Sequence, residues 1–202
     1  MKRDPLLRLG VSRETEERLR RFVDLLLKWN GTINLISRRD EAHVWERHVI
    51  DSLALLPALP QGIERVIDLG SGGGFPGVVL AIATGWRFDL VESDQRKGAF
   101  LREAGRVGGA DVVVHTGRIE GLKIEPASLI TARALAPLGR LLDLATPLLA
   151  PNGVCLFPKG RGAEEELTAA ELHWHMRVER LPSAIDPLST ILRLSEIARV
   201  PS

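Results

Sequence analysis

Asp68, Gly70, Gly72 and Gly74, with a second acid at Glu92, are residues whose types and spacing could hold a nucleotide-like cofactor. The glycines follow a β-branched run, RVIDL (65–69), and leave the backbone of the turn open to a ligand. Pro76 suits the first turn of a helix, where its missing N–H is not needed. Strand, turn and helix N-terminus together present amide donors and the positive end of a helix dipole. Gly72, Gly74 and Gly77 match G-x-G-x-x-G, a pattern that also arises by chance. Two features favour S-adenosylmethionine over a dinucleotide. A carboxylate at Asp68, on the strand tip, repels a pyrophosphate and attracts the methionyl ammonium, and the glycines nearest the strand run G-x-G-x-G. Glu92 closes the next apolar run, RFDLVE, about twenty residues on, where an acid accepts hydrogen bonds from ribose hydroxyls. A P-loop is excluded because no G-K-[ST] follows the glycines. The plainer alternative is a glycine-rich turn that binds nothing, and two correctly spaced acids weigh against it.

Other reactive residues read more simply. His48, Asp51 and Ser52 fall at i, i+3 and i+4 of an expected helix, but a hydrolase triad needs a strained nucleophile turn that this chain lacks. A polar cluster fixing that helix or lining a pocket edge is the better account. Cys155, the one cysteine, lies in an apolar strand pattern and reads as an inert thiol in a reducing compartment. His173 and His175 offer no metal spacing, so no metal is expected.

These residues must be positioned by the elements around them. Residues 14–29 carry apolar positions at helical spacing, with Ser12 as N-cap, and a second helix is expected over 41–56. From residue 65 the pattern alternates: strand 65–69, helix 76–84, strand 87–92, helix 95–107, strands 112–115 and 128–132, helix 135–149, strand 154–158, and a polar helix near 163–173. Such alternation predicts an α/β, Rossmann-like, doubly wound and mostly parallel sheet. Residues 176–181 and 190–199, joined by PSAIDPLS, predict an antiparallel pair at the sheet edge. The expected division is a helical extension, 1–60, packed on a core of 61–202. No signal peptide or membrane span is expected, and the chain is placed in the cytoplasm. Residues 1–50 carry 11 basic against 8 acidic groups and 93–140 carry 8 against 5, a balance that permits a nucleic-acid face without establishing one.

Taken together, LLLKWNGTINLIS (25–37), RHVIDSLALLP (47–57), VIDLGSGGGFPGVVLAIA (66–83), LVESDQRKGAFLRE (90–103), GRIEGL (117–122), ITARALAPL (130–138) and LFPKG (156–160) make the chain resemble the bacterial guanine-N7 methyltransferase family that acts on small-subunit ribosomal RNA, the glucose-inhibited division protein B family. The resemblance covers nearly the whole chain. It implies a methyltransferase that transfers a methyl group from S-adenosylmethionine to N7 of a guanine in 16S ribosomal RNA, presented free or in the 30S particle. It also implies a cofactor lying against Gly70 and Phe75, the pair Ile119 and Glu120, and Arg133, with Ile119 packed on adenine and Arg133 on the methionyl carboxylate or a phosphate. Pro158 departs from the ordinary strand residue of the family and bears on the edge of its strand.

The absent features agree with this chemistry. No Asn/Asp-Pro-Pro-aromatic loop follows the fourth strand, as amino-group methylation would use, and pyrimidine C5 methylation would need a nucleophilic cysteine. Arg38, Arg39, Arg96, Lys97, Lys159 and Arg161 are the expected phosphate contacts, and Asp51 and Ser52, with His48 nearby, are the candidate catalytic residues facing the reacting guanine, with no general base expected. The chain is expected to act as a monomer. A small-molecule or protein methyltransferase, and a cofactor-sensing ribosome-assembly protein without catalysis, are the competing readings.

Overall fold

The structure, a computed structural model, describes residues 6, 9–63, 65–183 and 189–201. Helix α1 (Arg13–Asn30) starts where Ser12 Oγ accepts the Thr15 N–H at 3.1 Å, and Glu14 and Glu16 in its first turn oppose the helix dipole. Its apolar face buries Leu19, Phe22, Val23 and Leu26 in the cluster that also holds Phe75, Val78 and Phe100. Phe22 meets Phe75 edge-on at 5.5 Å between centroids.

The single helix expected over 41–56 is instead four short pieces. Arg38–His43 and Leu56–Ala58 are 3₁₀ turns, Trp45–Ile50 is π-helical and Asp51–Leu53 is one α turn. Local bonds compete with regular winding: Ser52 Oγ donates back to His48 O at 2.6 Å, and Pro57 supplies no donor for a continuing helix. The wide π turn rotates the side chains after it relative to a straight helix.

Strands β1 (Arg65–Leu69), β2 (Arg87–Glu92), β3 (Val112–Thr116), β4 (Ala127–Ala132), β5 (Leu149–Lys159), β6 (Trp174–Pro182) and β7 (Thr190–Arg199) form one sheet in the order β3-β2-β1-β4-β5-β7-β6. The first five run parallel, and β7 pairs antiparallel with both β5 and β6. The tail therefore makes the expected antiparallel pair at the β5 side, with its second strand inserted next to the core. Residues 184–188 of the expected PSAIDPLS connection lie outside the described residues. Pro158 pairs with Ile191 of β7, beyond Leu156, the last residue of β5 in register with β4, so its missing N–H costs no bond to β4.

Helices α2 (Gly77–Thr84) and α3 (Gln95–Gly108) pack with α1 on one face, and α4 (Leu138–Ala145) and α5 (Ala163–Glu171) on the other. The expected helix 135–149 shrinks to α4 because Pro137 keeps the preceding residue out of helical geometry and Pro147 starts a 3₁₀ turn. Strand β5 correspondingly begins earlier than expected, with Asn152 at φ 60°. Beside the apolar face of α1, Arg18 and Arg21 donate to the carbonyls of Val107, Gly108 and Gly109, capping the C-terminus of α3. Among the described residues no helix is long and apolar enough to cross a membrane.

Candidate functional site

Parallel order reverses between β1 and β4, and the loops at the C-terminal ends of these strands build the site, as open α/β sheets favour. The glycine turn closes by Gly74 N donating to Ser71 O at 2.7 Å, while Ser71 N reaches across to Val91 O at 3.0 Å. Glu92 at the end of β2 braces the same turn: its carboxylate accepts the Gly72 N–H at 2.9 Å and the Asp94 N–H at 2.8 Å. Each carboxylate oxygen retains a lone pair for a ligand hydroxyl.

A cleft of about 440 Å³ opens beside this turn, a size suited to a small-molecule ligand. Gly70, Gly72 and Glu92 form one wall, Ile119 and Glu120 another, and Ala134–Ala136 a third. Lys97, Arg118 and Arg140 also reach it, and Arg140 pairs with Glu120. A Cβ on Gly70, at φ +68°, would lie 2.6 Å from Leu135 Cδ1, so glycine is what lets the turn and the 134–136 segment touch.

Four of the expected contacts do not line this cleft. Asp68 is fully buried behind the turn and outside the cleft wall, with Oδ1 accepting the Thr131 hydroxyl at 2.7 Å and Oδ2 against Gly77. Its place inside β1 directs the carboxylate into the protein and away from the first cleft. Phe75 is buried between Phe22, the stacked imidazole of His48 at 4.9 Å and the Arg133 guanidinium at 5.2 Å from its centroid, and Gly74 packs on Val78 and Phe22. These two positions shape the turn from behind. Arg133 sits on the far side of the 134–136 segment, outside the first cleft, and donates to His48 Nδ1 at 2.8 Å, Asp51 Oδ2 at 3.2 Å and Arg47 O at 3.3 Å.

A second cleft of about 380 Å³ adjoins the first across Ala134–Ala136 and is lined by Asp51, Arg133, Pro158, Lys159 and Gly160. The structure thus joins His48 and Asp51 through Arg133, whereas Ser52 is buried and bonded to its own helix. Of the expected phosphate contacts, Arg38, Arg39, Arg96 and Arg161 are exposed. Lys97 belongs to the wall of the first cleft. Lys159 is turned to protein partners at the edge of the second cleft: its side chain is 9% exposed and its ammonium donates to Glu166 Oε2 at 2.7 Å and Ala136 O at 3.0 Å. Nearby Glu166 on the following helix is the sequence signal that could have shown this pairing. Arg118 was missed although it stands next to Ile119, and Leu135 because an apolar side chain in a loop gives no signal of its contact.

Burial and the neighbouring Arg133 charge lower the His48 pKa from 6.5 to about 4, while burial raises that of Asp68 from 3.8 to about 6. The unfolded chain protonates His48 below about pH 6.5 and the folded protein resists, so this stabilising contribution is complete above that pH and is lost as pH falls toward 4. Asp68 acts oppositely, since its preferred neutral form in the fold gains stability as pH falls through 6. The two slopes, each up to about 1.4 kcal/mol per pH unit, oppose one another between pH 4 and 6. Urea midpoints across this range should therefore rise toward acid for His48→Gln and fall more steeply for Asp68→Asn, relative to the unaltered protein. Parallel profiles for all three would contradict the assignment.

Comparison with known proteins follows the same lines as the geometry. A family model described as rRNA small subunit methyltransferase G, GidB, matches residues 15–186. The ribosomal RNA small subunit methyltransferase G of Gluconobacter oxydans is 57% identical over 190 residues, covering 94% of this chain and 98% of that protein. That of Granulibacter bethesdensis is 56% identical over 191 residues, covering 95% and 90%. Among solved structures, an O-methyltransferase from Bacillus cereus in complex with SAH aligns with a TM-score of 0.58 at 18% identity, covering 87% of this chain and 90% of that one. A cofactor-bound protein from MTB aligns at 0.64 and 16% identity, covering 89% of each. These two structural likenesses establish the shared fold.

Proposed function

This chain belongs to the rRNA small subunit methyltransferase G family, and from that premise we propose that it transfers the methyl group of S-adenosylmethionine to N7 of a guanine in 16S ribosomal RNA. The observation that carries the reading is the pair of clefts sharing Ala134–Ala136: one meets the glycine turn and Glu92, the other is open to Asp51 and Arg133. The first fits the cofactor, with Gly70 and Gly72 admitting its methionyl end, Glu92 accepting its ribose hydroxyls, and Ile119 and Glu120 flanking the adenine. Asp68, Gly74, Phe75 and Arg133 support this site from behind. Residues 1–60 act as a helical extension on the 61–202 core, sharing the cluster of Phe22, Phe75 and Phe100.

S-adenosylmethionine, when bound, supplies an electrophilic methyl group on a cationic sulfur. Guanine N7 carries an unprotonated lone pair and has no proton to lose, so the chain needs to supply alignment and exclusion of water rather than a base. Asp51, on the wall of the second cleft, offsets the positive charge that develops on the guanine ring. His48 is unsuited to take a proton, because its Nδ1 accepts from Arg133 and its pKa is pushed down to about 4. Arg38, Arg39, Arg96 and Arg161 hold phosphates, which fixes the RNA without reading its sequence.

The test is transfer of a labelled methyl group to 16S RNA and to 30S particles, with the product identified as 7-methylguanine. Single-turnover rates should be flat between about pH 6 and 8, where histidine is the unperturbed side chain that titrates. Label in another base position, or a steep pH rise abolished by His48→Gln, would overturn the N7 reading.

A further inference from the structure

The ammonium of Lys159, on a side chain only 9% exposed, is committed to protein partners, which is out of place for a phosphate contact. Its bonds converge on one short stretch of backbone. Lys159 Nζ donates to Ala136 O at 3.0 Å, and Glu166 Oε2, its partner at 2.7 Å, also accepts the Leu138 N–H at 2.7 Å. Leu138 opens α4, and Pro137 before it provides no side-chain cap, so a carboxylate from the neighbouring helix takes that place. The stretch so held begins at Ala134, a non-glycine residue at φ 50°, a conformation that persists only where its surroundings enforce it. Ala134, Leu135 and Ala136 line both clefts.

We infer that Lys159 and Glu166 are positioning residues, a latch that fixes the 134–138 segment as the partition across which cofactor and base are aligned. The inference rests on the methyl-transfer reading above. Transfer depends on placing reacting atoms within fractions of an ångström, and a partition free to shift would misplace them without removing any ligand contact. Lys159→Met keeps the length and apolar stem of the side chain and removes its donors. Glu166→Gln keeps an acceptor for the Leu138 N–H and removes the charge.

The experiment compares both variants with Arg161→Ala in steady-state methylation of ribosomal RNA, alongside calorimetry with S-adenosylmethionine and thermal melting. The latch requires kcat to fall by about ten-fold or more in Lys159→Met, and in the same direction by less in Glu166→Gln, with RNA KM and cofactor affinity within about three-fold of the unaltered protein. Arg161→Ala should instead act chiefly on KM, raising it and flattening its salt dependence. If Lys159→Met behaves like Arg161→Ala, Lys159 is a phosphate contact and the latch is wrong. If Lys159→Met melts too early to assay, Glu166→Gln decides alone: an unchanged kcat overturns the proposal. Equal losses of kcat, cofactor affinity and melting temperature would mark the pair as merely structural and also overturn it. Failure of the unaltered protein to methylate ribosomal RNA would overturn the functional reading itself, an outcome separate from any of these.

Discussion

Replacing Gly72 with valine is expected to abolish S-adenosylmethionine binding while leaving the protein folded. Gly72 has φ +51°, its N–H donates to Glu92 Oε2 at 2.9 Å, and it forms part of the first cleft's wall. A Cβ there would sit 3.7 Å from Gly70 O and 4.0 Å from Glu92 Oε2, so alanine fits in space and the branches of valine project into the gap between turn and carboxylate. The left-handed backbone adds a further cost of about 1 to 3 kcal/mol for a β-branched residue. Both effects fall on the geometry that presents Glu92 to the ribose. Calorimetry should show affinity reduced by at least about 100-fold, equivalent to about 2.7 kcal/mol, with Gly72→Ala weakened less. Binding within a few-fold of the unaltered protein would mean that the cofactor lies elsewhere.

The second large effect is expected at Arg133. Its guanidinium reaches His48 Nδ1, Asp51 Oδ2 and Arg47 O and lies over Phe75, so Arg133→Ala takes one charged donor away from both the Asp51 carboxylate and the His48 ring at the edge of the second cleft. Hydrogen bonds to charged groups contribute about 1.5 to 3 kcal/mol each, and loss of this knot should lower kcat/KM for RNA by about 100-fold or more. Lysine should restore little, because a point donor cannot span acceptors that a planar fork joins. Turnover at saturating cofactor should fall further than cofactor affinity, since Arg133 lines the second cleft and not the first. The reverse pattern, with affinity lost and turnover kept, would give Arg133 to the methionyl carboxylate.

The sheet was legible because its signals are local. Short β-branched runs, helical spacing and the glycine turn marked every strand from Arg65–Leu69 to Thr190–Arg199, and Glu92 was identified by its distance from the turn. Direction within the third dimension was less accessible. Asp68 and Glu92 are both acids at strand ends, yet β1 turns one inward to Thr131 and β2 turns the other toward Gly72. Lys159 and Arg161 are neighbours of like charge, separated in role by Glu166, whose approach depends on how α5 packs. The π turn at Trp45–Ile50 was hidden because its apolar spacing resembles that of an ordinary helix.

The capping of α3 by Arg18 and Arg21 bears on how the chain is made. Arg18 bonds to Gly108, a carbonyl 90 positions later, and Phe22 rests on Phe75 and Phe100. On a ribosome adding about 5 to 20 residues per second, α1 emerges many seconds before the surface that will cover its apolar stripe has been synthesised. During that interval Leu19, Phe22, Val23 and Leu26 lack the cover of Phe75, Val78 and Phe100. Helix α1 is therefore made well before the surface that covers it, and a nascent chain halted before residue 108 should leave it open to protease attack.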